Sequence, residues 1–209
     1  MADVPKYVIV ASDDEFMQFE WTNIWYDKLP GEKHLYIIPN SEHEMVTTYR
    51  RRFSVLASFM RNIAANTTAR PNFDYSIDNS TGELTVQMLE NNPVKPLNVK
   101  LQYTETLTSK RRDFRWIFDS NNNTEACTLP FIPVPKGFLL KHSHNPKDDD
   151  NLCFAPLFWR SIELEEKAPG LYSALPPEPR EGHWMGYYID IEFPGDAPET
   201  GDLLFPNHY

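Results

Sequence analysis

Two short apolar runs, each followed by a group able to move protons, constrain this chain more than any other feature. Tyr7-Val8-Ile9-Val10-Ala11 leads at once into Asp13-Asp14-Glu15. Leu35-Tyr36-Ile37-Ile38 ends at Pro39-Asn40 and leads to His43. Continuous apolar runs of this length suit strands covered on both faces, as in a parallel sheet. Leu29-Pro30-Gly31 between them is a turn signal. In open α/β sheets the functional groups collect beyond the carboxyl ends of the strands. The spacing therefore predicts adjacent parallel strands over 6–11 and 33–38, with an Asp and a His at the same end.

Acid after one strand and His after the next resembles the order in which α/β-hydrolases present the last two members of a Ser-His-Asp triad. The nucleophile of that fold comes earlier in the chain, on a Gly-x-Ser-x-Gly elbow. Only six residues precede Tyr7, and no Gly-x-Ser-x-Gly occurs elsewhere. Either the chain is the carboxyl-terminal piece of a hydrolase-like protein, or its Asp and His have another task.

Three segments carry a closer resemblance: Ala11-Ser12-Asp13-Asp14-Glu15-Phe16-Met17, Leu29-Pro30-Gly31-Glu32-Lys33 and Pro39-Asn40-Ser41-Glu42-His43. They are similar to the PhoPQ-activated pathogenicity-related family, which includes autocrine proliferation repressor proteins. Lys110 to Trp116 and Gly182-His183-Trp184 resemble it too. The resemblance implies the end of an α/β-hydrolase-like domain followed by a small β-rich domain. It places Asp14 at the acid position and His43 at the base position, with Asp13 where the family usually has Gly. Glycine tolerates positive φ far better than Asp, so the turn and the choice of carboxylate facing His43 both hang on Asp13.

Beyond His43, Tyr49, Phe53, Leu56, Met60 and Ile63 recur at spacings of three and four, which predicts a helix within 46–64 lying on the sheet through that stripe. Arg50, Arg51, Arg52 and Arg61 read as its solvated face. Asn66 to Pro71 reads as a boundary, and from there the period changes to two. Phe73/Tyr75/Ile77, Leu84/Val86/Met88, Leu97/Val99/Leu101/Tyr103 and Phe114/Trp116/Phe118 alternate with other residues. So do Met185/Tyr187/Ile189/Ile191/Phe193, and 158–164 and 171–175 are further strand candidates. Some seven short strands with one apolar face each predict an immunoglobulin-like antiparallel β-sandwich. The expected fold class is α+β. Residues 1–68 end an α/β-hydrolase-like domain with two strands and a helix, 69–195 form the sandwich, and 196–209 are an irregular tail.

The net charge of −10 argues against nucleic acid, which requires a basic face. No run of about 18 apolar residues suggests a membrane span. No apolar leader precedes the first strand, yet Asn66, Asn79 and Asn122 open glycosylation sequons in polar stretches. A missing leader and a missing nucleophile share one explanation, an absent amino-terminal region of a secreted parent. In an exported protein Cys127 and Cys153 either pair, closing a loop worth roughly 3 kcal/mol, or stay two unrelated buried thiols, with the pair slightly favoured. His142-Ser143-His144 near Asp148-Asp149-Asp150 offers zinc-compatible ligands, but nothing rigid fixes them, so it reads as a loop, and no cofactor or metal is expected. Lys110-Arg111-Arg112 reads as a basic turn. Two functions are carried forward. One is the acid and base of a hydrolase acting on an ester or amide, inactive in this chain for want of a nucleophile. The other is a secreted, non-catalytic binding protein recognising a cell-surface receptor.

Overall fold

The computed structural model describes residues 4–65, 70–90, 95–119, 132–133, 152–194 and 207–208. The architecture is mixed α+β. Strands β1 (Lys6–Ala11) and β2 (Lys33–Ile38) are parallel neighbours in the register Lys6↔Lys33 to Ala11↔Ile38. β-branched Val and Ile favour this extended backbone. Between them, helix α1 (Thr22–Trp25) is flanked by single 3-10 turns at Phe19–Trp21 and Tyr26–Lys28. Helix α2 (Tyr49–Ala64) follows.

One face of the parallel pair meets α2. Tyr36, Ile38 and Val55 form a small core there, joined by Tyr7, Ile9 and Met45. Tyr7 stacks on Phe59 of the helix with ring centroids 5.1 Å apart. The helix seats itself differently from the expectation. Val55, Ser58, Phe59 and Asn62 are its buried residues, whereas the predicted stripe of Tyr49, Phe53, Leu56, Met60 and Ile63 faces outward. Two strands offer too little width for a full stripe, and the face that turns inward carries Val55 and Phe59 beside the polar Ser58 and Asn62.

The remaining chain is antiparallel β-structure. Strands β3 (Phe73–Ile77) and β4 (Leu84–Met88) form a hairpin, and β10 (Leu171–Ala174) adds to β4. Gly82 takes φ +79 at the hairpin turn, as a left-handed turn position demands. Strand β5 (Asn98–Glu105) pairs with β9 (Arg160–Glu163) on one side and β11 (Met185–Phe193) on the other. The short β12 (Asn207–His208) joins β11, within a tail read from sequence as irregular. These two sheets enclose Val86, Met88, Val99, Ile191 and Phe193. A third small sheet holds β6 (Ile117–Asp119), β7 (Ile132–Pro133) and β8 (Leu152–Phe154).

The strand expected through Phe114, Trp116 and Phe118 is reduced to β6. Phe114 is buried in a core with Phe19, Leu157 and Trp159, and the Trp116 N–H is spent on the Asp13 carbonyl at 2.9 Å. Cys153 is fully buried and disulfide-bonded, while Cys127 lies outside the described residues. So do Asn66, Asn122 and the His142–His144 and Asp148–Asp150 segments. Asn79 is exposed in the β3–β4 turn. No helix among the described residues is long and apolar enough to cross a membrane, and no group of three or more His, Cys, Asp or Glu there could hold a metal ion.

Candidate functional site

The parallel ladder continues past the ends of both strands. Ser12 N–H donates to the Ile38 carbonyl and Asp13 N–H to the Ser41 carbonyl, each at 3.0 Å. The two loops that follow are thereby held side by side, and they bring Asp14 and His43 together. His43 Nδ1 lies 2.9 and 3.0 Å from the two Asp14 carboxylate oxygens. A carboxylate only accepts, so the Nδ1–H donates, and in a neutral imidazole that tautomer leaves the lone pair on Nε2.

Asp14 is itself fixed. Its Oδ1 accepts the Phe16 and Met17 N–H groups at 2.8 and 2.7 Å. The carboxyl is buried, while the His43 side chain is 43% exposed. That asymmetry suits a held acid and a base that must reach a reactant. The Phe16 ring lies edge-on to His43 at 4.9 Å. Glu15 does not touch the imidazole; its Oε2 accepts the His43 backbone N–H at 3.0 Å. Burial raises the Glu15 carboxyl above its usual range, against the pull of that bond.

Asp13 points elsewhere. It does not take positive φ, unlike Asn40 at +56 and Met45 at +55, so an Asp in place of Gly leaves the turn intact. Its Oδ1 accepts the Trp159 indole N–H at 2.7 Å. Burial pushes this carboxyl up to about 7, against the lowering effect of hydrogen bonds from Trp159 and Ser12. Consecutive carboxylates thus do separate jobs: Asp14 meets the imidazole and Asp13 meets the β-rich part.

Sequence reasoning missed what the β-rich part contributes. In the sequence Trp159 falls within a strand candidate, and its distance of 146 residues from Asp13 leaves no local signal of their contact. Arg112 was read as a basic turn, but it pairs with Glu20 at 2.6 Å and ties the loop after β1 to the far side. Trp21 and Trp25, between β1 and β2, are exposed. His183 lies two residues before β11, its Nδ1 3.0 Å from the Glu181 carbonyl. A cavity of about 960 Å³ opens between β2 and the sheets of β3–β4 and β11, and neither Asp14 nor His43 lines it.

The pattern of the PhoPQ-activated pathogenicity-related protein family matches residues 1–115. Autocrine proliferation repressor protein A of Dictyostelium discoideum is 27% identical over 199 residues, covering 91% of this chain and 33% of that protein. The chain thus spans about a third of the length of that relative. No solved structure matches it.

Proposed function

The chain belongs to the PhoPQ-activated pathogenicity-related family, and from that membership and the local geometry we propose that it is the carboxyl-terminal portion of a secreted α/β-hydrolase-like protein. Residues 1–68 would close that domain and 69–195 would form an immunoglobulin-like sandwich, with 196–209 a tail. The observation that carries the reading is the Asp14–His43 contact at the shared end of two parallel strands. Asp14 holds the imidazole in the Nδ1–H tautomer. Nε2 then takes a proton from a serine hydroxyl as it attacks an ester or amide carbonyl, and returns it to the leaving group. The serine and the oxyanion donors belong to the rest of the parent. Support for a larger parent comes from the relative's length and from the outward stripe of α2, which further protein would cover.

The test compares residues 1–209 with the same chain joined to the sequence that precedes it in the parent. The short chain shows no turnover of an aryl ester above buffer. The long one turns over, and His43→Ala removes at least about 10²-fold of its rate. Turnover by the short chain, abolished by His43→Ala, would reveal a nucleophile within it and overturn the division of the triad. A second reading is favoured by the name of the relative: a secreted, non-catalytic protein that binds a cell-surface receptor through the β-rich part. A Ser in an elbow context upstream supports the enzyme, and its replacement there supports the binder.

A further inference from the structure

The geometry points to Trp159, acting with Asn40, as the positioning residue of the Asp14–His43 pair, which makes the β-rich part of the molecule a working component of the site. This rests on the acid–base reading above and adds a group outside the parallel strands that sets its alignment.

The pair forms only if two separate loops keep their mutual position, one after β1 and one after β2. Trp159 bonds both. Its indole Nε1–H donates to Asp13 Oδ1 at 2.7 Å, one residue before the acid. Its backbone pairs with the side-chain amide of Asn40, three residues before the base. The Trp159 N–H donates to Asn40 Oδ1 at 2.8 Å, and Asn40 Nδ2 donates to the Trp159 carbonyl at 3.1 Å. The amide imitates a strand partner, satisfying both polar groups of one residue. Asn40 takes φ +56, a conformation Asn tolerates better than most side chains. Its own N–H donates to Ser12 Oγ at 2.9 Å, which joins the two loops directly.

Trp159 can act as a reference point because its side chain is buried and closely packed. It is 5% exposed and packs against Phe19, Tyr188 and Phe114 with ring centroids at 5.1, 5.2 and 6.3 Å. Gly186 leaves the space for it: a Cβ there would lie 3.2 Å from Trp159 Cη2 and 3.0 Å from Phe114 Cε1. Catalytic geometry is sensitive to displacements of about 1 Å, and His43 has few other holds, being 43% exposed.

A role as mere glue predicts that breaking these bonds lowers the melting temperature and leaves the imidazole alone. A positioning role predicts a change at His43 itself. The readout is the Nδ1–H resonance and tautomer of His43, followed by nitrogen-15 NMR on residues 1–209 at neutral pH. Asp14→Asn identifies the signal, because it removes the charge that holds it. Asn40→Gly keeps the left-handed backbone and removes the clamp. The expected result is loss of the slowly exchanging Nδ1–H signal in Asn40→Gly, with the β-sheet resonances in place, and its partial return in Asn40→Asp, which still accepts the Trp159 N–H. Trp159→Phe, which loses the bond to Asp13 and part of the ring packing but keeps the backbone pair with Asn40, should broaden the signal. Where Asn40→Gly unfolds the chain, the Asn40→Asp and Trp159→Phe variants carry the test. An unchanged His43 signal in the folded Asn40 and Trp159 variants, with Asp14→Asn effective, overturns the positioning role alone. A signal indifferent to Asp14→Asn overturns the acid–base reading, and with it any pair to be positioned.

Discussion

Phe193 and Phe53 are the same side chain in two settings. Phe193, on β11, is 0% exposed between two antiparallel sheets. Phe53, on α2, is 54% exposed on a stripe of apolar neighbours. The β-rich part draws its core from its own two sheets, with Tyr7 of β1 packed against it, whereas the parallel pair covers one face with α2 and the other with side chains borrowed from elsewhere. Val10 of β1 and Ile37 of β2 pack onto the core that holds Phe19, Phe114 and Trp159. The residues with chemical promise therefore sit on the part that depends most on its surroundings, and the part that builds most of its own core supplies the anchor, Trp159, through a core it shares with Phe19.

The largest effect that can test this contrast is a cavity in the self-contained core. Phe193→Ala should cost about 3–5 kcal/mol, the usual range for a large buried aromatic, and abolish folding if the domain is marginal. Urea melts measure it. A loss below about 1 kcal/mol would show that the two sheets do not depend on that core.

Next comes the junction. Asp13 titrates near 7 in the folded chain against an ordinary 3.8, so the folded state binds the proton more tightly. Its contribution to stability is complete below about pH 4 and is lost as pH rises through 7. At 1.36 kcal/mol per unit, the span from 3.8 to about 7 sets an upper bound on the order of 4 kcal/mol. Glu15, also raised by burial, pulls the same way. Asp13→Asn keeps an acceptor for Trp159 and has no charge to desolvate. It should be more stable than the parent at pH 8, with a flatter fall between pH 4 and 8. Equal slopes in the two proteins would mean that Asp13 is ionised at little cost and that the junction is wetter than its burial indicates.

Much of this was legible in the sequence, and the boundary is physical. β1 and β2 announced themselves as apolar runs and β3, β4, β5 and β11 by alternation, because such patterns are local, and β9 and β10 fell within the other strand candidates, whereas β7 and β8 carried no such signal. That an acid and His43 would lie close was legible because both follow apolar runs at the end where such groups collect, and the choice of Asp14 among Asp13, Asp14 and Glu15 came from the family resemblance. What could not be read was which face of α2 turns inward, since Tyr49, Phe53, Leu56, Met60 and Ile63 form the better stripe by every local measure. Packing partners decided that, and they are distant. The same holds for Trp159, Arg112 and Asn40, whose roles come from partners about 90 to 146 residues away.

A smaller effect belongs to a single hydrogen bond across the junction. The Tyr188 hydroxyl donates to the Ile37 carbonyl at 3.1 Å, reaching from β11 to β2. Tyr188→Phe keeps the ring against Trp159 and should cost about 1 kcal/mol. Amide exchange should quicken around Ile37 and not around Phe193. Equal acceleration at both would mean the two parts open as one unit, and the contrast between them would lose its energetic basis.

The smallest effect is the most informative about the whole protein. Leu56 is 41% exposed and Met60 57% exposed on the outer face of α2. Exposed apolar side chains contribute little to folding, so Leu56→Ser and Met60→Ser should each change the stability of residues 1–209 by no more than about 0.5 kcal/mol. Solubility should improve, because a contiguous apolar patch invites association. The same substitutions in the longer parent separate two situations. If further protein covers the stripe, each removes a buried side chain and costs about 2–5 kcal/mol. If the stripe stays open to solvent in the parent, both contexts give the same near-zero value, and the outward face of α2 would no longer support the reading that this chain is part of a larger sheet domain.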